Sequence, residues 1–137
     1  MSYWLRDHTA DVAVEAEANT LDGVFAAVAD GLAATMCDSI PERGGDRFEL
    51  AVEAENREAL LFDYLDELIY ERDVRSVLPV DNEASVSGSG ETWAVEASAR
   101  GIPLDEIEAR EIKAVTYSDL ELAETADGWR AYVVFDV

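Results

Sequence analysis

The stretch DVAVEAEANTLDGVFAAVADGLAATM, residues 11–36, changes its period part-way along. Over residues 11–17 the apolar Val12, Val14 and Ala16 alternate with Asp11, Glu15 and Glu17, the two-residue repeat of a half-buried strand. Asn19 or Thr20 then supplies a helix cap. After it Leu21, Val24, Phe25, Val28, Leu32 and Met36 recur at helical spacing, with Asp22 and Asp30 on the other side. A strand feeding an amphipathic helix needs a sheet for that helix to cover.

The same alternation of periods runs outward from this unit. Residues 48–54 set Phe48, Leu50, Val52 and Ala54 on one face against Glu49 and Glu53, with Glu55 following, and Asn56 can cap a second helix. That helix, residues 57–73, carries Leu60, Leu61, Tyr64, Leu65, Leu68 and Ile69 on one side and Asp63, Asp66, Glu67 and Glu71 elsewhere. The rest reads as strands over residues 82–87, 92–99, 112–123 and 129–136. The last two are joined as a hairpin through Ala126-Asp127-Gly128. Residues 41–46 and 88–91 punctuate the chain as loops. With strands outnumbering helices and several in adjacent hairpins, the expected fold is α+β. It is a single domain over residues 1–137, with a largely antiparallel sheet and two amphipathic helices packed on it.

The 137 residues carry 31 acidic side chains against 10 basic ones, a formal net charge of -21 at pH 7. Lys113 is the one lysine, and every other cation is arginine. Such self-repulsion opposes compaction in dilute buffer. It suits near-molar salt, where a Debye length of roughly 3 Å screens it. The acids are scattered along the chain rather than massed, so the acidity points to a halophilic setting rather than to mimicry of nucleic acid. No basic cluster exists to neutralise phosphates, which disfavours independent nucleic-acid binding. The opening residues lack the apolar core of a signal peptide, and no run approaches the roughly 20 apolar residues of a membrane span, so a cytoplasmic protein is expected. One cysteine, Cys37, allows no internal disulfide; its default reading is buried and structural.

Nucleophilic hydrolysis would need Cys37 paired with His8, the one histidine, yet Cys37 ends a helix with no glycine-rich turn around it. Gly88-Ser89-Gly90 lacks the lysine and helix start of a phosphate-cradling loop. Three other features could carry chemistry. Asp7-His8-Thr9-Ala10-Asp11 gathers two carboxylates and the histidine where a strand begins. It is either a polar turn or a cation site built from hard oxygens. The final strand alternates to the last residue, which would hold the Asp136 side chain and the Val137 α-carboxylate together near the sheet. That is a repulsive pair unless a cation lies between them, or else a solvated chain end. Lys113 is either a compact point charge for an anion or a solvated strand residue. Because Asp11 begins one strand and Asp136 ends another, an antiparallel sheet can set them side by side.

Five blocks in order along the chain resemble the archease family: Asp7-His8-Thr9-Ala10-Asp11-Val12, Asn19-Thr20-Leu21, the helix LLFDYLDELIY at 60–70, IKAVTY at 112–117, and VFDV at 134–137. The resemblance implies a small α+β accessory protein, not itself an enzyme. Such a protein assists an RtcB-type RNA ligase, which joins tRNA exon halves with GTP and a divalent metal. It would promote guanylylation of the ligase and support multiple turnover, meeting RNA only through the ligase. It also implies a bound divalent cation, calcium, with Asp11, Asp136 and Val137 as ligands. Asp7, His8 and Lys113 lie in matching motifs as supporting or partner-facing residues. Asn19 stands where some relatives carry aspartate and is not counted as a ligand. The alternative is a chaperone-like modulator of an RNA-modifying enzyme such as a tRNA methyltransferase, which would need exposed apolar surface rather than a defined cation site.

Overall fold

The structure, a computed structural model, describes residues 2–8 and 11–137; the side chains of Arg6, Asp7 and His8 lie outside that description. The opening alternation forms β2 (Asp11–Ala18), with Val14 and Ala16 fully buried. It pairs antiparallel with β1 (Ser2–His8), a strand the sequence reading did not foresee. Tyr3, Trp4 and Leu5 are apolar in succession, so β1 has no two-residue period to detect. Helix α1 (Leu21–Met36) follows, and Thr20, rather than Asn19, caps it: Thr20 Oγ1 accepts from the Gly23 N–H at 3.0 Å. At Gly31 the helix lies so close to β2 that a Cβ would stand 2.5 Å from Val14 Cγ1.

β3 (Asp46–Ala54) leads into α2 (Arg57–Arg75), whose cap Asn56 accepts from the Ala59 N–H at 2.8 Å. β4 (Val77–Ser89) and β5 (Thr92–Pro103) form a hairpin far longer than the alternating stretches alone suggested. A short 3-10 turn (Leu104–Glu106) precedes β6 (Ala114–Thr125), which turns through Ala126 and Asp127 into β7 (Gly128–Asp136).

Antiparallel pairing holds among all the described strands, but they divide into two sheets where the sequence suggested one. One has the order β1-β2-β7-β6 and the other β3-β5-β4. The helices lie against both: α1 packs on β2 and β4, and α2 on β3 and β6. A single apolar cluster joins Val14, Val133 and Phe135 of the first sheet to Phe25, Leu32, Leu61 and Leu65 of the helices and Leu78 and Val95 of the second. Helix α1 therefore buries most of its circumference, whereas α2 buries the single stripe from Leu60 to Arg72. Asp22 and Asp30 of α1 are drawn in as well, since Asp22 accepts from the Val86 N–H at 2.7 Å and Asp30 from the Asn82 N–H at 3.0 Å. Asn82 sits in the bulge where β4 slips against β5 between Val80 and Glu83.

Strand β6 begins two residues later than its apolar pattern. Ile112 is buried, but its carbonyl accepts from Arg72 Nη1 at 2.9 Å instead of joining a ladder. Cys37 is buried just beyond α1, as its composition suggested.

Candidate functional site

The ends of β2 and β7 meet. In their register Asp11 lies directly opposite Asp136, Val12 opposite Phe135 and Ala13 opposite Val134. Directly opposed residues share a face and hold their Cβ atoms about 5 Å apart. Val14, Ala16, Val133 and Phe135 point into the core, so Asp11 and Asp136 share the face turned away from the helices. The next row on that face, Ala13 and Val134, is buried, so the two carboxylates border a shielded apolar strip. Asp11 is half-buried and Asp136 exposed.

The flanking strands extend this row across the sheet. His8 is opposite Asp11 in β1, and Ala114 is opposite Asp136 in β6. Beyond that pair, the Lys113 N–H donates to the Asp136 carbonyl at 2.8 Å. Asp136, at the end of the central strand β7, is thereby held on both flanks, and Val137 follows it, 47% exposed. Lys113 contributes main chain here; its side chain is exposed and joins no ion pair among the described residues. The roles read for Asp7 and His8 side chains, and for Thr9 and Ala10 altogether, lie outside the described residues.

Two opposed carboxylates repel, and hard oxygen donors at strand ends suit calcium or magnesium, which accept irregular oxygen sets completed by water. They do not suit zinc, which seeks nitrogen and sulfur. Among the described residues, no group of three or more histidine, cysteine, aspartate or glutamate side chains could hold a metal. A cation at Asp11 and Asp136 would thus need main-chain oxygens or water as well.

The profile of the archease protein family (MTH1598/TM1083) matches residues 3–137. The chain belongs to the archease family. Among its relatives, the archease of Methanosarcina barkeri is 34% identical over 98% of this chain and 95% of its own length. That of Thermococcus gammatolerans is 33% identical, covering 96% and 95%. The solution structure of Methanobacterium thermoautotrophicum protein 1598 superposes with a TM-score of 0.85 at 25% identity, covering 98% of each chain. An archease from Thermotoga maritima, described as a possible chaperone, shares the fold with a TM-score of 0.62 at 23% identity, covering 96% of this chain and 94% of its own.

The residue that sequence reasoning missed is Arg72. It is 6% exposed, donates to Ile112 and lies 3.2 Å from Met36 Sδ. Its position supplied a signal, since Leu61, Leu65, Leu68 and Arg72 fall on one helical stripe. An arginine in such a stripe needs an internal acceptor.

Proposed function

We propose that this archease acts as an accessory protein that binds a divalent cation and activates an RtcB-type RNA ligase in tRNA splicing, promoting ligase guanylylation and multiple turnover. The observation that carries the reading is the register that sets Asp11 opposite Asp136. Asp11, Asp136 and the α-carboxylate of Val137 are the proposed ligands, with calcium as the ion. Bound there, calcium would neutralise the opposed carboxylates and offer its remaining positions to oxygens of the partner. The chain's own part is to hold Asp136 between β2 and Lys113, so that the donors stand at an ordered edge. Asp7, His8 and Lys113 are proposed as supporting or partner-facing residues. RNA is met through the ligase, because the -21 charge repels phosphates. Among the described residues, no helix is long and apolar enough to cross a membrane.

The test is a guanylylation assay of the purified cognate ligase with GTP, with and without this protein, in molar KCl. A faster guanylylation and repeated ligation cycles are expected; an unchanged rate and turnover would reject the reading. The chaperone-like reading draws on the description of the Thermotoga maritima relative and on exposed Tyr3, Trp4 and Leu5 in β1. It predicts improved folding yield of an RNA-modifying enzyme such as a tRNA methyltransferase, independent of Asp136.

A further inference from the structure

The outward arc of α2 differs from the rest of the acidic surface. With about 100° of rotation per residue, Asp63, Asp66, Glu67, Tyr70 and Val74 fall within about 100° of one another. Tyr70 is 57% exposed and Val74 60%. Tyr117 of β6, 50% exposed, is held alongside by its ring contact with Phe62, centroids 5.4 Å apart.

Many other surface carboxylates are matched to arginines: Asp81 to Arg100, Asp38 to Arg110, Glu15 and Glu121 to Arg130 and, at the end of α2 itself, Glu71 to Arg75. Among the described residues, Asp63, Asp66 and Glu67 form no ion pair. Partial burial, and then the neighbouring Asp66, push the Asp63 carboxyl up; partial burial, then Glu71 and Asp66, push up Glu67. Three acids in no ion pair among the described residues thus lead along the arc to an exposed tyrosine, with Val74 one turn beyond it. A guanidinium group answers both features, because it pairs with carboxylates through a planar fork and stacks on tyrosine faces. In concentrated salt only such contact-range pairing survives screening.

We propose that this arc, together with Tyr117, is a docking face for a partner protein that presents arginines around an apolar side chain. Phosphate-bearing RNA is repelled by the same acids. The partner's identity rests on the accessory reading above, which makes it the ligase that the protein activates. Asp11 and Asp136 share the sheet face turned away from the helices, so contact at α2 and cation binding can be disturbed independently.

The experiment measures binding of the cognate ligase to the full chain by calorimetry, alongside guanylylation and calcium affinity. Asp66→Lys and Tyr70→Ser are compared with Glu96→Lys, an equal charge change at an exposed site on β5. Both α2 variants should weaken ligase binding at least tenfold while calcium affinity and helical circular dichroism stay unchanged, and Glu96→Lys should bind as the parent does. If the parent binds and activates but the α2 variants match it, the docking face is wrong and the accessory reading stands. Equal weakening by Glu96→Lys would show that net charge alone matters, which also overturns the face. Self-association lost in the α2 variants, with ligase binding intact, would assign the arc to a second copy instead. A parent chain that neither binds nor activates the ligase removes the accessory reading and this inference with it.

Discussion

The Arg72 guanidinium donates to the Ile112 carbonyl at 2.9 Å, so a buried cation on α2 fixes the chain one residue before Lys113 bonds to Asp136. The partner carboxylate of Arg72, Asp73, is 63% exposed, so the ion pair adds little compared with the buried carbonyl contact. Arg72→Met keeps much of the volume but leaves the Ile112 carbonyl without its donor. It should cost about 1.5–3 kcal/mol of stability, the range for losing a hydrogen bond to a charged group. Urea unfolding measures that loss. Calcium titration of the folded variant should also show weaker binding, because Lys113 is no longer held against Asp136. Unaltered calcium affinity would confine Arg72 to a role in stability.

Much of this architecture follows from periodicity, and its exceptions have physical causes. The strand at 11–17 and both helices emerge from alternation and helical spacing because each carries its large apolar residues on one regular face. Strand β1 escapes because its apolar residues are consecutive, and the extension of β4 back to Val77 because Pro79 and the bulge at Asn82 break the period. The division into two sheets depends on which strands pair, and alternation does not encode pairing. The opposition of Asp11 and Asp136 was accessible because each ends a strand, and β2 and β7 proved to be neighbours. Arg72 was hidden because composition reads an arginine as surface.

Asp30 gives a pH dependence of defined sign. Burial raises its pKa above the ordinary carboxylate value, more than the Asn82 hydrogen bonds lower it. A group that binds its proton more tightly when folded makes stability fall as pH rises from the unfolded carboxylate range through the raised native pKa, with no further change above it. Asp30→Asn retains an oxygen for the Asn82 N–H and removes the buried charge. Urea midpoints from pH 4 to 7 should therefore decline less steeply in the variant than in the parent, with the variant the more stable at pH 7. Parallel curves would show that Asp30 titrates as an exposed acid does.

Arg57 opens α2 with its guanidinium 5.5 Å from the Trp93 ring centroid and 5.0 Å from that of Trp129. One indole comes from each sheet, so this cation links the two sheets beside the start of the helix. Each contact is worth about 0.5–2 kcal/mol depending on desolvation. Arg57→Ala should lower stability by about 1–2 kcal/mol and red-shift tryptophan emission as the rings gain water. Arg57→Lys should recover part of both. An unchanged emission maximum in Arg57→Ala would mean the rings do not depend on the cation.

With -21 charges on 137 residues, stability should rise with salt. The Debye length contracts from about 10 Å at 0.1 M to about 3 Å at 1 M, which removes repulsion between acids that are not in contact. Ion pairs such as Arg110 with Asp38 at 2.8 Å are weakened too, but they are outnumbered by unmatched acids. Thermal unfolding in dilute buffer and in molar KCl should differ by several degrees or more in favour of KCl. Equal midpoints would show that the acidity is not an adaptation to salt.

The opposed carboxylates of Asp11 and Asp136 allow a test in which one substitution has opposite effects with and without calcium. Like charges placed directly across two strands cost roughly 0.2–1 kcal/mol. Asp136→Asn removes that repulsion, so without calcium the variant should be as stable as the parent or slightly more so. With a proposed ligand lost, its calcium affinity should fall on the order of tenfold, since carboxylate charge sets affinity at oxygen sites. Stabilisation by a bound ion grows with the logarithm of its concentration over Kd, so saturating calcium should raise the parent's Tm more than the variant's. The order of stability would then reverse between chelator and calcium. Extending the chain beyond Val137 tests the third proposed donor in the same assay, because it removes the α-carboxylate and leaves Asp11 opposite Asp136. A tagged chain that keeps the parent's calcium affinity would exclude Val137 as a ligand, and a Tm unmoved by calcium in the parent itself would remove the cation site from this end of the sheet.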